Sequence, residues 1–365
     1  MVKSKARKRT ITKPSKISAV DLFCGAGGLT YGLLKQSVNV KAGFDIDPVC
    51  RYPFEFNNDV PFVLKDVAKI KSDDIKALFK LDEITVIAGC APCQPFSKYT
   101  QGRDTSTDKK WSMLYEFARI VEEVEPDIVT MENVPQLKRH QVYNDFEDRL
   151  IELGYKVSSS VVYCPDYGIP QTRQRLVLLA SKLGPIDLIK PTVKPEKYKT
   201  VRQTIGNLPK VKAGETHSSD PLHAASALSD TNVKRIKASK PDGSWLDWDK
   251  NLVADCHKKS GRKTYRSVYG RMSWDKPSPT MTTQFMGFGN GRFGHPEQNR
   301  AISLREGALL QTFPRRYRFT PPGQPLFAKH IARMIGNAVP VKLGEVIGKS
   351  IKTHLEQHGK KEIYV

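Results

Sequence analysis

One cysteine has the neighbours that nucleophilic chemistry requires. Cys93 lies in the loop of residues 89–97, GCAPCQPFS, directly after an apolar, β-branched run at residues 84–88. A thiolate is the most nucleophilic of the common side chains. Pro92 and Pro95 fix the backbone φ angle and remove N–H donors on either side of it, so the loop should be stiff and non-helical. The pattern predicts that Cys93 performs covalent catalysis.

The C-x-x-C spacing of Cys90 and Cys93 has two other interpretations. A zinc site needs two further ligands at close spacing, and the pair Cys256-His257 is a poor substitute for them. A redox dithiol normally opens a helix, whereas Pro95 favours a loop here. We therefore expect no metal and expect Cys90 to be buried packing at a strand end. Six scattered cysteines in a long chain indicate reduced, intracellular thiols.

Three consecutive predicted strands end in residues that suit a nucleotide-like ligand. The first, residues 17–23, runs into the glycine turn CGAGG at residues 24–28, and a helical pattern follows. The second ends at Asp45, and the third ends at Asp66. Glycines let backbone N–H groups approach a ligand, and an acid after the second strand can bind ribose hydroxyls. A tight βα turn and two helix caps are the alternative explanation.

Two further strands bring ionisable side chains toward Cys93. Residues 127–131 form a predicted strand that ends at Glu132, and a neighbouring strand would place this carboxylate near Cys93. Arg173 and Arg175 stand one residue apart at the start of another strand, so both should point to one face. They suit an anionic or carbonyl-bearing substrate, or a plain surface patch.

The charge and composition indicate a polyanionic partner and more than one domain. The 365 residues carry a formal net charge of +21, which favours nucleic acid or an acidic membrane surface. No apolar run is long enough to span a membrane. We expect a basic tail at residues 1–16, a catalytic domain at 17–183, a second domain at 184–271 and a C-terminal segment at 272–365, whose last helix returns to the catalytic domain. Basic residues and Trp245, Trp248 and Tyr269 in the second domain suit nucleic-acid contact, or else stabilise a solvated insertion.

Taken in order, these motifs resemble the DNA cytosine-5 methyltransferase family from about residue 19 to 343. The matching runs are DLFCGAGG at 21–28, PCQPFS at 92–97, ENV at 132–134, QTRQR at 171–175, PT at 279–280, QTFP at 311–314 and GNAVP at 336–340. The resemblance implies an α/β, doubly wound, Rossmann-like sheet that binds S-adenosylmethionine, with a smaller target-recognition domain. It implies double-stranded DNA as the partner, a bacterial cytoplasmic enzyme, and a monomer that can accompany a separate restriction endonuclease.

The resemblance also assigns residues. Cys93, Glu132, Arg173 and Arg175 would be catalytic. The cofactor would be held by Phe23, Gly25, Gly27, Asp45, Ile46, Asp66, Val67, Pro92, Asn337 and Val339. The family usually has Glu where this chain has Asp45, and the shorter side chain would loosen the ribose contact or need help from Asp47. Cys93 would attack C6 of a flipped-out cytosine, Glu132 would act near N3, and Arg175 near O2.

Other activities fit less of the chain. A tRNA cytosine-5 methyltransferase of the same family usually carries a Cys-Phe-Thr triplet, which is absent from the sequence. A non-catalytic DNA-binding relative would not need Cys93, Glu132 and Arg175. An NAD-dependent dehydrogenase would share the glycine turn but gives no role to the loop at 92–97. The DNA target sequence cannot be read from one chain.

Overall fold

The computed structural model describes residues 8–11, 16–92, 112–258, 266–358 and 361–364. The predicted nucleophile Cys93, and the segment 98–110 that follows it, lie outside these residues. The strands are β1 (Lys8–Ile11), β2 (Ile17–Leu22), β3 (Asn39–Asp45), β4 (Phe62–Leu64), β5 (Ile84–Gly89), β6 (Ile128–Asn133), β7 (Lys156–Tyr163), β8 (Gln174–Ser181), β9 (Thr216–His217), β10 (Asp220–Ala224) and β11 (Lys361–Tyr364).

Helices alternate with the first strands, and short helices recur among irregular segments in the later part of the chain. They are α1 (Gly28–Lys35), α2 (Arg51–Asn58), α3 (Ser72–Lys76), α4 (Ser112–Val124), α5 (Gln141–Glu152), α6 (Val201–Ile205), α7 (Asp230–Ala238), α8 (Asp255–Lys258), α9 (Leu304–Leu310), α10 (Ala328–Asn337) and α11 (Val341–His358). The chain divides into two compact units. Unit 1 comprises Met1–Val162, Gln174–Lys190 and Val341–Val365, and unit 2 comprises Tyr163–Arg173 and Pro191–Pro340.

Unit 1 is built on a seven-stranded sheet in the order β4-β3-β2-β5-β6-β8-β7. Strands β4, β3, β2, β5 and β6 pair in parallel, and β8 runs antiparallel to β6. The parallel strands are nearly uninterrupted apolar sequence because helices cover a parallel sheet on both faces. Chain order reverses between β2 and β5, and ligands of such sheets bind beyond the carboxyl ends of the strands at this reversal. The predicted α/β, doubly wound sheet is confirmed.

The core of unit 1 lies between this sheet and its helices. Strand residues such as Val20, Ile87 and Val129 pack against Phe117 and Phe146 of α4 and α5. The two phenylalanine rings stack with their centroids 5.5 Å apart. The apolar residues of α4 recur at helical spacing, so one stripe of that helix is buried in this core.

Unit 2 contains residues 191–271 of the predicted target-recognition segment and continues beyond them to Pro340, whereas residues 184–190 of that segment belong to unit 1. Trp245 and Trp248 are only 4% and 7% exposed, and they pack with Ile236, Phe288 and Ala301. This burial contradicts the interpretation of the two tryptophans as nucleic-acid contacts, because a base cannot stack on a ring that is already covered. They stabilise an irregular segment instead, which was the alternative explanation. The recognition role of residues 184–271 stays a prediction.

Candidate active site

The carboxyl ends of the central strands carry the predicted site residues of unit 1. The glycine turn follows β2, Asp45 is the last residue of β3, Asp66 lies two residues after β4, and Pro92 lies three residues after β5. Glu132 is the fifth residue of β6. Since β8 is antiparallel to β6, the beginning of β8 with Arg175 lies at the same edge of the sheet, and Glu132 pairs with Val177.

A carboxyl group with two partners lies at this edge. Glu132 is 2% exposed. Its Oε1 lies 2.9 Å from Nε of Arg175, whose side chain is 13% exposed. Its Oε2 accepts a hydrogen bond from the thiol of Cys90 at 2.9 Å. The guanidinium and the thiol therefore hold the two oxygens of one buried carboxyl group. The sequence argument missed the thiol, and its only signal was the position of Cys90 at the end of the strand next to β6.

The backbone around Cys90 is fixed from both neighbouring strands. The N–H of Cys90 donates to the carbonyl of Leu22 at 3.4 Å, and Nδ2 of Asn133 donates to the carbonyl of Ala91 at 3.2 Å. Gly89 allows this close approach, since a Cβ there would lie 2.9 Å from the Leu22 carbonyl oxygen. The position of the thiol is thus determined by the sheet itself.

The glycine turn after β2 has the backbone conformation that glycine provides. Gly25 and Gly27 have φ angles of 52° and 86°, and Phe23 also has a positive φ of 58°. The N–H of Gly25 donates to Oδ2 of Asp45 at 2.8 Å. A Cβ on Gly25 would meet no atom within 4 Å, so the space beside this turn is open. A small ligand can approach the turn there.

Asp45 joins the glycine turn to the next loop. Its Oδ1 accepts the N–H of Asp47 at 2.9 Å, while Asp47 caps the following 3-10 turn through the N–H of Val49. Burial raises the pKa of the Asp45 carboxyl, and the two backbone hydrogen bonds oppose that change. The adjacent Ile46 is 67% exposed, which is unusual for a large apolar side chain. An acid beside an exposed apolar side chain can bind a ribose and cover a flat base.

The remaining predicted cofactor residues have mixed surroundings. Asp66 accepts the N–H of Ala68 at 3.1 Å, as a cap does, and the Val67 side chain belongs to the core of unit 1. Pro92 is exposed. Asn337 ends α10 and Val339 follows it, both in unit 2. That these residues contact a cofactor stays a prediction.

Arg173 and Arg175 have different partners. Arg173 precedes β8 and is 2% exposed, and its guanidinium donates to the carbonyls of Met281 and Gly336 at 3.0 and 3.4 Å within unit 2. Arg175 lies within β8 and contacts Glu132. The two arginines therefore contact different groups and do not form one patch. A catalytic role for Arg173 stays a prediction.

The described residues also bear on other classes of site. They include no group of three or more His, Cys, Asp or Glu side chains arranged to hold a metal ion. No helix within them is both long and apolar enough to span a bilayer.

The comparisons with known proteins agree on one family. The model of the C-5 cytosine-specific DNA methylases matches residues 17–353. The chain is 54% identical over 342 residues to the type II methylase M.HgiDII of Herpetosiphon aurantiacus, which covers 93% of this chain and 96% of that protein. It is 28% identical over 354 residues to the type II methyltransferase M.Sau96I of Staphylococcus aureus, covering 95% and 78% of the two chains.

A solved structure shows the same fold. The methyltransferase EhMeth of Entamoeba histolytica superposes with a TM-score of 0.67 at 17% identity, over 93% of this chain and 99% of that one.

Proposed function

Because the chain belongs to the C-5 cytosine-specific DNA methylase family, we propose that it transfers a methyl group from S-adenosylmethionine to C5 of a flipped-out cytosine in a specific duplex DNA sequence. The observation that carries this proposal is the buried Glu132 carboxyl group, which is held by Arg175 and Cys90 at the carboxyl edge of the central strands. The relatives named as type II methylases support a role beside a restriction endonuclease. The protein would be cytoplasmic, and the endonuclease would act separately from it.

The residues of unit 1 fit the methyl donor. Phe23, Gly25 and Gly27 would frame its methionine part, Asp45 would bind the ribose, and Ile46 would cover the adenine. The open face of Gly25 and the exposed Ile46 support this assignment. When bound, S-adenosylmethionine supplies an electrophilic methyl group on a sulfonium sulfur. Asn337 and Val339 are proposed contributors by the family resemblance alone.

Each step on the cytosine has a residue to perform it. The base must leave the stack, at a cost of a few kcal/mol, before its ring face can be attacked. The Cys93 thiolate then adds to C6, which raises the electron density at C5. Glu132 donates a proton or hydrogen bond at N3, and Arg175 stabilises the charge that develops at O2. After C5 is methylated, its proton passes to solvent water, the proton at N3 returns to Glu132, and expulsion of the thiolate restores the aromatic ring.

Two experiments test the covalent route. We expect Cys93→Ser to abolish methyl transfer while the variant still binds S-adenosylmethionine in a calorimetric titration. The wild-type protein should form an adduct with DNA containing 5-fluorocytosine that survives a denaturing gel, because fluorine cannot leave C5 as a proton would. Near-normal turnover of the variant, or no adduct from an active enzyme, would contradict attack by Cys93.

The same assay separates the nearest rival activity. Labelled methyl transfer should be far faster to duplex DNA than to tRNA, and a preference for tRNA would replace the proposed substrate.

A further inference from the structure

We infer that Cys90 is a positioning residue, which orients the Glu132 carboxyl group for methyl transfer through a hydrogen bond from its thiol. The inference rests on the proposed function and extends it to a side chain outside the predicted catalytic set. It also gives the first cysteine of the C-x-x-C run a role in place of simple packing.

The geometry of the contact is set by adjacent strands. Cys90 directly follows β5 and Glu132 lies in β6, and these strands pair in parallel with Gly89 opposite Met131. The thiol reaches Oε2 of Glu132 at 2.9 Å across this pair. Hydrogen bonds to Leu22 and from Asn133 fix the backbone of residues 90 and 91 on both sides. Because the backbone at Cys90 is fixed, its thiol determines the orientation of the neighbouring carboxyl group, and not the reverse.

A contact with Arg175 alone would not fix the orientation of the Glu132 carboxyl group, because Arg175 contacts only one of its two oxygens. Arg175 contacts Oε1, so without the thiol the carboxyl group could rotate about that contact. Glu132 is almost fully buried, and water therefore cannot easily replace a donor lost from its side. The thiol donates a hydrogen bond but adds no positive charge, so it orients the group without strengthening the electrostatic hold of Arg175. A misplacement of about 1 Å at a catalytic group slows chemistry by about a hundredfold in unfavourable cases.

The first test separates orientation from substrate binding. Cys90→Ala should lower kcat about tenfold, while KM for DNA and for S-adenosylmethionine changes less than about twofold. Cys90→Ser keeps a donor at the same place and should recover most of the lost kcat. Cys50→Ala is the matched control, because it removes a buried sulfur from unit 1 that has no contact with Glu132 in the described structure. An unchanged kcat for Cys90→Ala, or a Cys90→Ser variant as slow as Cys90→Ala, would overturn the inference.

A double-mutant cycle tests whether Cys90 acts through Glu132. Single-turnover rates are measured for wild type, Cys90→Ala, Glu132→Gln and the double variant, with circular dichroism as a check of folding. If the thiol works through the carboxyl group, the double variant is no slower than Glu132→Gln alone. Multiplied losses would show a separate structural role for Cys90 and refute the inference. A Glu132→Gln variant of wild-type speed would instead refute the catalytic role of Glu132, so the two failures are distinguishable.

Discussion

At the scale of single residues, the half-buried carboxyl group of Asp45 and the buried one of Asp21 support the glycine turn of unit 1 and the helix that follows it. Asp45 accepts the N–H of Gly25, and Asp21 accepts the hydroxyl of Thr30 at 2.6 Å. Asp21 is 1% exposed, and its burial raises its pKa from 3.8 to about 7 in spite of that hydrogen bond. The nearby negative charge of Asp45 contributes to the same rise in pKa. Asp21 therefore changes its protonation near neutral pH, beside the predicted cofactor turn.

Asp21→Asn should remove a pH dependence of stability. The folded state holds its proton up to about pH 7 and the unfolded state loses it near pH 3.8, so the free energy of unfolding falls as the pH rises between these values. A shift of about 3 units corresponds to about 4 kcal/mol, which is an upper limit for this contribution. Asn stays neutral throughout, so urea denaturation should show the variant gaining stability relative to wild type from pH 5 to pH 8. A constant difference between the two proteins would show that Asp21 is ionised in the folded state at pH 5.

At the scale of elements, α11 completes unit 1 by packing directly on α1. A Cβ at Gly32 of α1 would lie 2.5 Å from the carbonyl oxygen of Val341 and 2.6 Å from the amide nitrogen of Glu345. Gly344 of α11 approaches the backbone of Leu29 in the same way. Glycine is required here because the two backbones touch, and a side chain would separate the helices. This close packing fixes the position of α1, and with it the glycine turn that precedes this helix.

Gly32→Ala should destabilise unit 1 by about 2 kcal/mol or more, because backbone atoms cannot move aside for the methyl group. Gly348→Ala on α11 is the milder comparison, since the three atoms nearest to its Cβ would be side-chain atoms of Gln36 and Leu33 at 2.9 Å or more, and none of them a backbone atom. Alanine also favours a helix over glycine by about 1 kcal/mol, which offsets part of that cost. Denaturant titration should rank Gly32→Ala well below Gly348→Ala, and equal losses would contradict a backbone contact at Gly32.

The sequence predicted the elements whose signal is local. The apolar runs of β2, β5 and β6 and the polar residues at their ends could be read directly, because a buried parallel strand is continuous and short. The contact of Cys90 with Glu132 could not be predicted, since the two residues are 42 positions apart and meet only through the register of β5 and β6. The sequence left the burial of Trp248 open for a related reason: an irregular segment has no periodicity that reveals which side faces its core.

At the scale of the whole molecule, the excess of basic residues should make DNA binding depend on the salt concentration. The formal net charge is +21. Several of the basic residues are already paired with acids inside the protein and cannot bind a phosphate backbone. Arg300, for example, makes a bidentate contact with Glu306. The remaining excess is large enough to attract a polyanion before any base is read.

Binding to duplex DNA should therefore depend steeply on salt. Between 50 and 200 mM salt we expect the affinity to fall by about a hundredfold or more, because each phosphate contact releases a counterion. The affinity for S-adenosylmethionine, measured on the same preparation, should change less than about twofold, since a small ligand displaces few counterions when it binds. A DNA affinity independent of salt would show that the net charge has no part in binding.

The position of α11 in the chain also matters while the protein is being made. Lys35 of α1 and its ion-pair partner Glu345 of α11 are separated by 310 positions, and all of unit 2 except its first short segment is translated between β8 and α11. At about 10 residues per second, a ribosome takes roughly 30 s to deliver α11 after α1 has emerged. During this interval the face of α1 that contains Gly32 is not yet covered by α11. A nascent chain that already holds every predicted catalytic residue would thus still lack the helix that packs on α1.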